Sequence, residues 1–220
     1  MVIIDREALY RIQREIASRT ILDDRLDLDE IRLIGGADQA FFDEKIISAI
    51  VLLEYPSMEV YDSSSAILNV DFPYIPGLLT FREAPSIIEA FRSLETKPDL
   101  LIVDGCGINH PRFAGLATHV GVTLDIPSIG VAKNILCGEG DLPMDVGDAS
   151  LITYQKRAVG YYFKSKKNCK PLIIAPGHKI SLESSLNLIK SCIRGYKLPE
   201  PTRMAHLFAV SYTHLTLPTN

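Results

Sequence analysis

Residues Leu100-Leu101-Ile102-Val103 form an unbroken apolar run that ends abruptly at Asp104-Gly105. A strand with one wet face alternates apolar and polar side chains, whereas an unalternated run belongs to a strand covered on both faces. Covering both faces of a strand requires layers above and below the sheet, which selects an α/β architecture. Upstream, residues 31 to 42, 45 to 55 and 59 to 70 are rich in β-branched and aromatic residues, and Asp43-Glu44 is placed as a tight hairpin turn between the first two. These three stretches read as an antiparallel meander. Residues 84 to 94 follow as a helix, so the order to this point is β-β-β-α-β.

The flanking segments add to this frame. Leu9, Ile12 and Ile16 recur at helical spacing in residues 5 to 17, predicting an amphipathic N-terminal helix. Residues 113 to 122 read as a helix, and 128 to 132, 158 to 163 and 172 to 175 as strands. Residues 181 to 193 are predicted as a helix with Ser181 as its N-cap and Gly195 ending it. A further helical stretch, 201 to 209, gives way to Thr- and Pro-containing sequence without amphipathic period. Residues 210 to 220 therefore read as a non-native tail, which removes His214 as a ligand, and 1 to 209 as a single domain.

The chain has 220 residues, 47% of them hydrophobic, enough for one sizeable core. Its net charge of −4 disfavours a protein that coats many phosphates with basic side chains, yet suits an acidic site that imports divalent cations. One basic cluster, Lys156, Arg157, Lys164, Lys166, Lys167 and Lys170, is either a backbone contact or a solvated hairpin face. The four cysteines show no C-x-x-C pair and no zinc spacing, as expected of a reduced, cytoplasmic protein. No secretory signal and no apolar run long enough to cross a membrane is visible, so no membrane partner is expected.

Three carboxylates stand where chemistry could gather. Asp38 follows Gly35-Gly36-Ala37 in the first strand, Glu83 lies at a helix entry, and Asp104 ends the buried strand. Open α/β sheets place ligands at the C-terminal ends of their strands, although such a residue can equally cap the next helix. Carboxylates converging from separate elements repel one another, and Mg²⁺ with its preference for oxygen is the natural compensation. The segment Pro73-Tyr74-Ile75-Pro76-Gly77-Leu78-Leu79 is stiffened by two prolines and presents an aromatic, as a wedge into a base stack would; the alternative is a rigid turn packed on the core. Gly105-Cys106-Gly107 lets backbone approach a ligand closely. Among the imidazoles weighed, His119 reads as structural and His178, read as a loop residue, as functional.

Taken together, these strings resemble the endonuclease V family. The resemblance runs through residues 73 to 83, then Asp104-Gly105-Cys106-Gly107-Ile108-Asn109-His110-Pro111-Arg112, then 125 to 133, 176 to 181 and 196 to 203, and covers about residues 5 to 209. It implies a ribonuclease H-like α/β fold: a mixed sheet of three antiparallel strands followed by parallel strands, flanked by helices. It also implies that Asp38, Glu83 and Asp104 are catalytic metal ligands for Mg²⁺, with Mn²⁺ able to substitute, and that His178 and Lys133 stand beside them. Pro73, Tyr74, Ile75 and Pro76 match the strand-separating wedge; Gly77, Leu79, Gly105, Gly107 and His110 fall where the family builds its hypoxanthine pocket. The implied activity is hydrolysis of the second phosphodiester bond 3′ to a deaminated base in DNA containing deoxyinosine, with inosine-containing RNA as a second substrate, by a monomer. Two departures stand out: Gln39-Ala40 after Asp38, where the family has Val-Ser or a similar pair, and Cys106, where it has His or Asn. An inosine-binding protein without cleavage, or an α/β enzyme of small phosphorylated nucleotides, are the rival readings.

Overall fold

The computed structural model describes residues 4–215, with side chains as far as Ser211. Eight strands form one sheet: β1 (Leu33–Phe42), β2 (Lys45–Glu54), β3 (Val60–Asn69), β4 (Leu100–Asp104), β5 (Ser128–Ala132), β6 (Ala149–Tyr154), β7 (Arg157–Phe163) and β8 (Leu172–His178), in the order β3-β2-β1-β4-β5-β8-β7-β6. The expected meander is there, joined by the two-residue turn at Asp43-Glu44. β1, β4 and β5 are parallel neighbours, and the sheet then returns to antiparallel pairing through β8, β7 and β6. The strand β6 escaped the sequence reading because it is an edge strand with one buried residue, Ile152. Its turn to β7 uses Gln155 and Lys156 with φ of 49° and 62°, the paired left-handed conformation of a tight hairpin.

Among the described residues there are five α-helices, α1 (Arg6–Ser18), α2 (Thr80–Ser93), α3 (Leu116–Leu124), α4 (Leu182–Ser191) and α5 (Glu200–Leu215); α2 to α5 cover the sheet and α1 packs on α3. Side-chain parity along the strands divides the core in two. Ile34, Val51, Leu100 and Ile102 pack with Leu186 and Ile189 of α4 and Ala205 of α5. Ile50, Leu52, Leu101 and Val103 pack with Ala84 and Ile87 of α2 and Leu116 and Val120 of α3. Consecutive residues of the Leu100–Val103 run thus serve opposite faces, which explains why none of them is polar.

Three sequence expectations need correction. Helix α2 begins at Thr80 and carries Pro85 inside it, rather than starting at Ala84, so Glu83 falls within its first turn. Helix α1 buries Gln13 and Ile16, while Ile12 is 41% exposed. Helix α5 runs unbroken through position 210 to Leu215, so helical backbone does not end where the amphipathic pattern does.

Candidate active site

The parallel register of β1 and β4 pairs Ala37 with Val103, which sets Asp38 beside Asp104 on adjacent strands. Adjacent strands lie about 4.8 Å apart, and both aspartates share parity with the residues facing α4 and α5. Glu83 approaches from α2, which belongs to the opposite layer. Glu83 comes near enough to the aspartate pair for the charges of Asp104 and Asp38 to act on its carboxyl.

Their electrostatics follow from that crowding. Burial raises the Asp38 carboxyl to about 6, with the charge of Asp104 adding to the effect and a hydrogen bond from His206 opposing it. Burial also raises Glu83, to about 7; neighbouring Arg82 opposes this and the charges of Asp104 and Asp38 reinforce it. Two basic side chains sit on the aspartates. Lys133, one residue past β5, places Nζ 2.5 Å from Asp104 Oδ2, and His206 of α5 places Nδ1 2.6 Å from Asp38 Oδ2. Burial alone would lower the Lys133 ammonium, but the charge and hydrogen bond of Asp104 carry it above its ordinary value. Among the described residues, no three His, Cys, Asp or Glu side chains already close on one point as a metal cage. The donor set nevertheless suits a hard divalent cation: three carboxylates that act on one another, two of them raised by burial and by their neighbours' charge.

His206 replaces His178 as the histidine of this site. His178 is not a loop residue; it ends β8, is 3% exposed, and its Nδ1 accepts the Ile21 amide while Nε2 lies 3.5 Å from Asp125. The antiparallel register pairs His178 with Ser128 at the start of β5, whereas Lys133 follows the other end of that strand. Asp104 pairs with Val131, three residues along β5 from Ser128, so about 10 Å of strand separates His178 from the carboxylates. Nothing local in the sequence marks His206; its meaning depends on which strand α5 crosses. The relevant sequence signal is Gly36. A Cβ there would stand 2.0 Å from the Pro201 carbonyl oxygen, so only glycine lets the start of α5 settle on β1 and carry His206 over Asp38.

Beside the carboxylates lies a cavity of about 360 Å³. Its lining includes Tyr74, Gly77, Leu79, Gly105 and His110, together with Glu83 and Asp104. Pro76 and Cys106 line it as well, while Pro73 and Ile75 belong to the same proline-stiffened loop without reaching the wall. Tyr74 is 68% exposed, which contradicts a tyrosine packed on the core and fits one that projects. The loop is anchored instead by the fully buried Leu78. Gly107 does not reach the wall: its amide donates to Asn109 Oδ1, and a Cβ would stand 2.3 Å from the Pro176 carbonyl oxygen. His110 is held neutral, its ring lowered to about 4 by burial first and by Arg112 second. Nδ1 accepts the Arg112 amide, so Nε2 carries the proton that is donated to the Gly77 carbonyl.

The sequence as a whole agrees with what this arrangement suggests. Residues 14–207 match the family model for Endonuclease V. The chain belongs to the Endonuclease V family. It is 44% identical over 204 residues to the Endonuclease V of Dictyoglomus turgidum, an alignment covering 92% of this chain and 89% of that one. The crystal structure of Endonuclease V from Streptomyces avermitilis superposes with a TM-score of 0.88 at 32% identity, covering 96% of this chain and 94% of the other. The Ciona intestinalis Endonuclease V, solved with a 24mer DNA containing an inosine followed by a ribo-adenosine, shares the fold at 24% identity and a TM-score of 0.85, covering 97% and 100%. This endonuclease V family member is accordingly a nuclease, a hydrolase of phosphodiester bonds in a family of metal-dependent enzymes, and its sheet is the ribonuclease H-like one.

Proposed function

We propose that this protein hydrolyses the second phosphodiester bond 3′ to hypoxanthine in DNA, and acts through the same site on inosine in RNA, using Mg²⁺ or, in its place, Mn²⁺. The observation carrying this reading is the single cavity whose wall joins the Tyr74–Gly77 loop and the glycine-rich loop after β4 to Glu83 and Asp104. A base held among Gly77, Leu79, Gly105 and His110 leaves a neighbouring phosphate to the carboxylates, so the nucleotide recognised and the bond cut are different.

The roles follow from the contacts. Asp38, Glu83 and Asp104 would hold the cation, which when bound stabilises charge on the attacking and leaving oxygens. Lys133, exposed at the rim on Asp104, offers a positive charge to the phosphate. His206, its Nδ1 on Asp38, stands where a proton can be passed to or from the reacting oxygens, in the part the sequence reading gave to His178. Tyr74 stands out from a loop stiffened by Pro73 and Pro76 and would enter the stack left by the displaced base. Neutral His110 and the surrounding backbone present fixed donors and acceptors to a base whose N1–H and O6 differ from the edge of adenine.

The working form proposed is a monomer, and residues 1–209 contain all of these residues. The described cysteines are all free, in keeping with a reducing cytoplasm, and no helix among the described residues is long and apolar enough to cross a membrane.

The test is incubation with oligonucleotides carrying one deoxyinosine or one inosine, otherwise identical, with Mg²⁺. Cleavage at the second bond 3′ to the modified base is expected. Tight binding without cleavage would replace this reading with a recognition protein, and indifference to the modified base would end it.

A further inference from the structure

Helix α1 hides a glutamine and exposes an isoleucine: Gln13 is fully enclosed, while its neighbour Ile12 is 41% exposed. A closed set of hydrogen bonds accounts for the exchange. Gln13 Nε2 donates to the Gly77 carbonyl at 3.0 Å, and Gln13 Oε1 accepts from Arg112 Nε at 2.5 Å. Arg112 Nη2 donates to the same carbonyl at 2.7 Å, and His110 Nε2 does so at 3.1 Å. The Arg112 guanidinium also lies 4.1 Å from the centre of the Tyr10 ring. Tyr10 precedes Gln13 by three residues and so shares its helical face.

Three donors, one of them cationic, therefore converge on a single carbonyl oxygen, and bonds from a charged donor are the strong ones. Gly77 itself is held at φ +77°, in the left-handed region. The peptide that follows it is pinned at its other end too, because the Leu78 amide donates to the Ile75 carbonyl at 2.9 Å. With both ends of one planar unit fixed, the Gly77–Leu78 peptide is held in one orientation within the turn from Ile75 to Leu78. This turn carries Tyr74 on one flank and part of the cavity wall on the other.

We propose that Gln13 and Arg112 are positioning residues for base recognition: with α1 they hold the Gly77 turn so that wedge and pocket wall are built before a strand arrives. The inference rests on reading the cavity as the site of the displaced hypoxanthine. Ordering that loop at the moment of binding would otherwise draw on the binding energy, so the clamp acts on KM and on discrimination between bases more than on turnover of bound strand.

Three variants test it, Gln13→Leu, Gln13→Glu and Arg112→Lys, each on a deoxyinosine strand and on the same strand with adenine in that place. Gln13→Leu removes both bonds. Arg112→Lys keeps the charge and the stem but cannot reach Gln13 and Gly77 together. KM for the deoxyinosine strand should rise about tenfold or more in both, with preference over adenine falling alongside and kcat changing less. Gln13→Glu still accepts from Arg112 but sets a carboxylate against the Gly77 carbonyl. It should be as harmful as Gln13→Leu, whereas a residue that merely steadied Arg112 would be rescued. The double variant Gln13→Leu, Arg112→Lys should be little worse than the poorer single one, since the two act as a unit.

Unchanged KM and preference in Gln13→Leu and Arg112→Lys would overturn the clamp, as would equal losses in KM, kcat and melting temperature. Should Gln13→Leu fail to fold, Arg112→Lys, which fills nearly the same space, decides alone. A wild-type protein without preference for deoxyinosine overturns the substrate reading and this role together; a preference that both variants retain overturns the clamp alone.

Discussion

Two neighbouring regions of the molecule are held in place by opposite means. At the carboxylate centre the groups are acidic, crowded and steadied by basic partners: Lys133 on Asp104 and His206 on Asp38. At the base pocket the ring of His110 is neutral, the fixed points are backbone atoms, and the charge of Arg112 is spent on holding a carbonyl. The difference matches two demands. Cutting a phosphodiester needs positive charge delivered to developing negative charge, while telling hypoxanthine from adenine needs donors and acceptors that do not move.

If the division is real, substitutions should separate cutting from recognition. Asp104→Ala or Asp38→Ala should lower cleavage by about a thousandfold or more while strand binding, followed by fluorescence anisotropy, persists, because charge stabilisation of the reacting oxygens is the largest contribution being removed. Simultaneous loss of cutting and binding would erase the distinction. A contrast between histidines comes next. His206→Ala should slow cleavage about a hundredfold, the scale of general acid–base assistance. His178→Gln, at the far end of β5, should cost only about 1 kcal/mol of stability, read from a denaturant melt, for its bonds to Ile21 and Asp125. The reverse ranking would return His178 to the site.

On the recognition side, Tyr74→Ala should weaken strand binding about tenfold, a base–aromatic stacking contribution, and leave the affinity for Mg²⁺ where it was. Unchanged strand binding would remove the wedge. The smallest effect is a linkage. Glu83 and Asp38 have folded-state values of about 7 and about 6, above those of an unfolded chain, so the ion-free protein loses stability as pH rises from about 4 toward 7. A divalent cation competes with those protons. The rise in melting temperature produced by Mg²⁺ should therefore grow, by a few degrees, between pH 5.5 and 8. A pH-independent increment would place the ion away from Glu83 and Asp38.

The sequence displays some of this directly and hides the rest for definable reasons. The meander and the two-faced strand are legible because burial dictates their composition residue by residue. Asp38 and Asp104 are legible as candidates because each sits in or at the end of such a strand. Their adjacency is a matter of register between β1 and β4, which no local pattern encodes. The last helix shows the limit most plainly: His206 has no flanking motif, and only the closeness of Gly36 to Pro201 gives it a function. His178 misled for the converse reason, since Pro176 and Gly177 look like a loop until they are seen paired as strand against β5. Gln13 carries a similar lesson. A period of 3.6 marks the apolar side of α1, yet the face turned inward is chosen by a carbonyl 64 residues away.

That seat of α5 on Gly36 has a practical corollary. The helix is moored by its opening turns, with Pro201 against the bare backbone of β1 and Ala205 and Ala209 enclosed, so His206 sits between anchored residues on either side. A tag, a fluorophore or a second protein joined to the C-terminus therefore hangs from a helix already tied down at its opening turns.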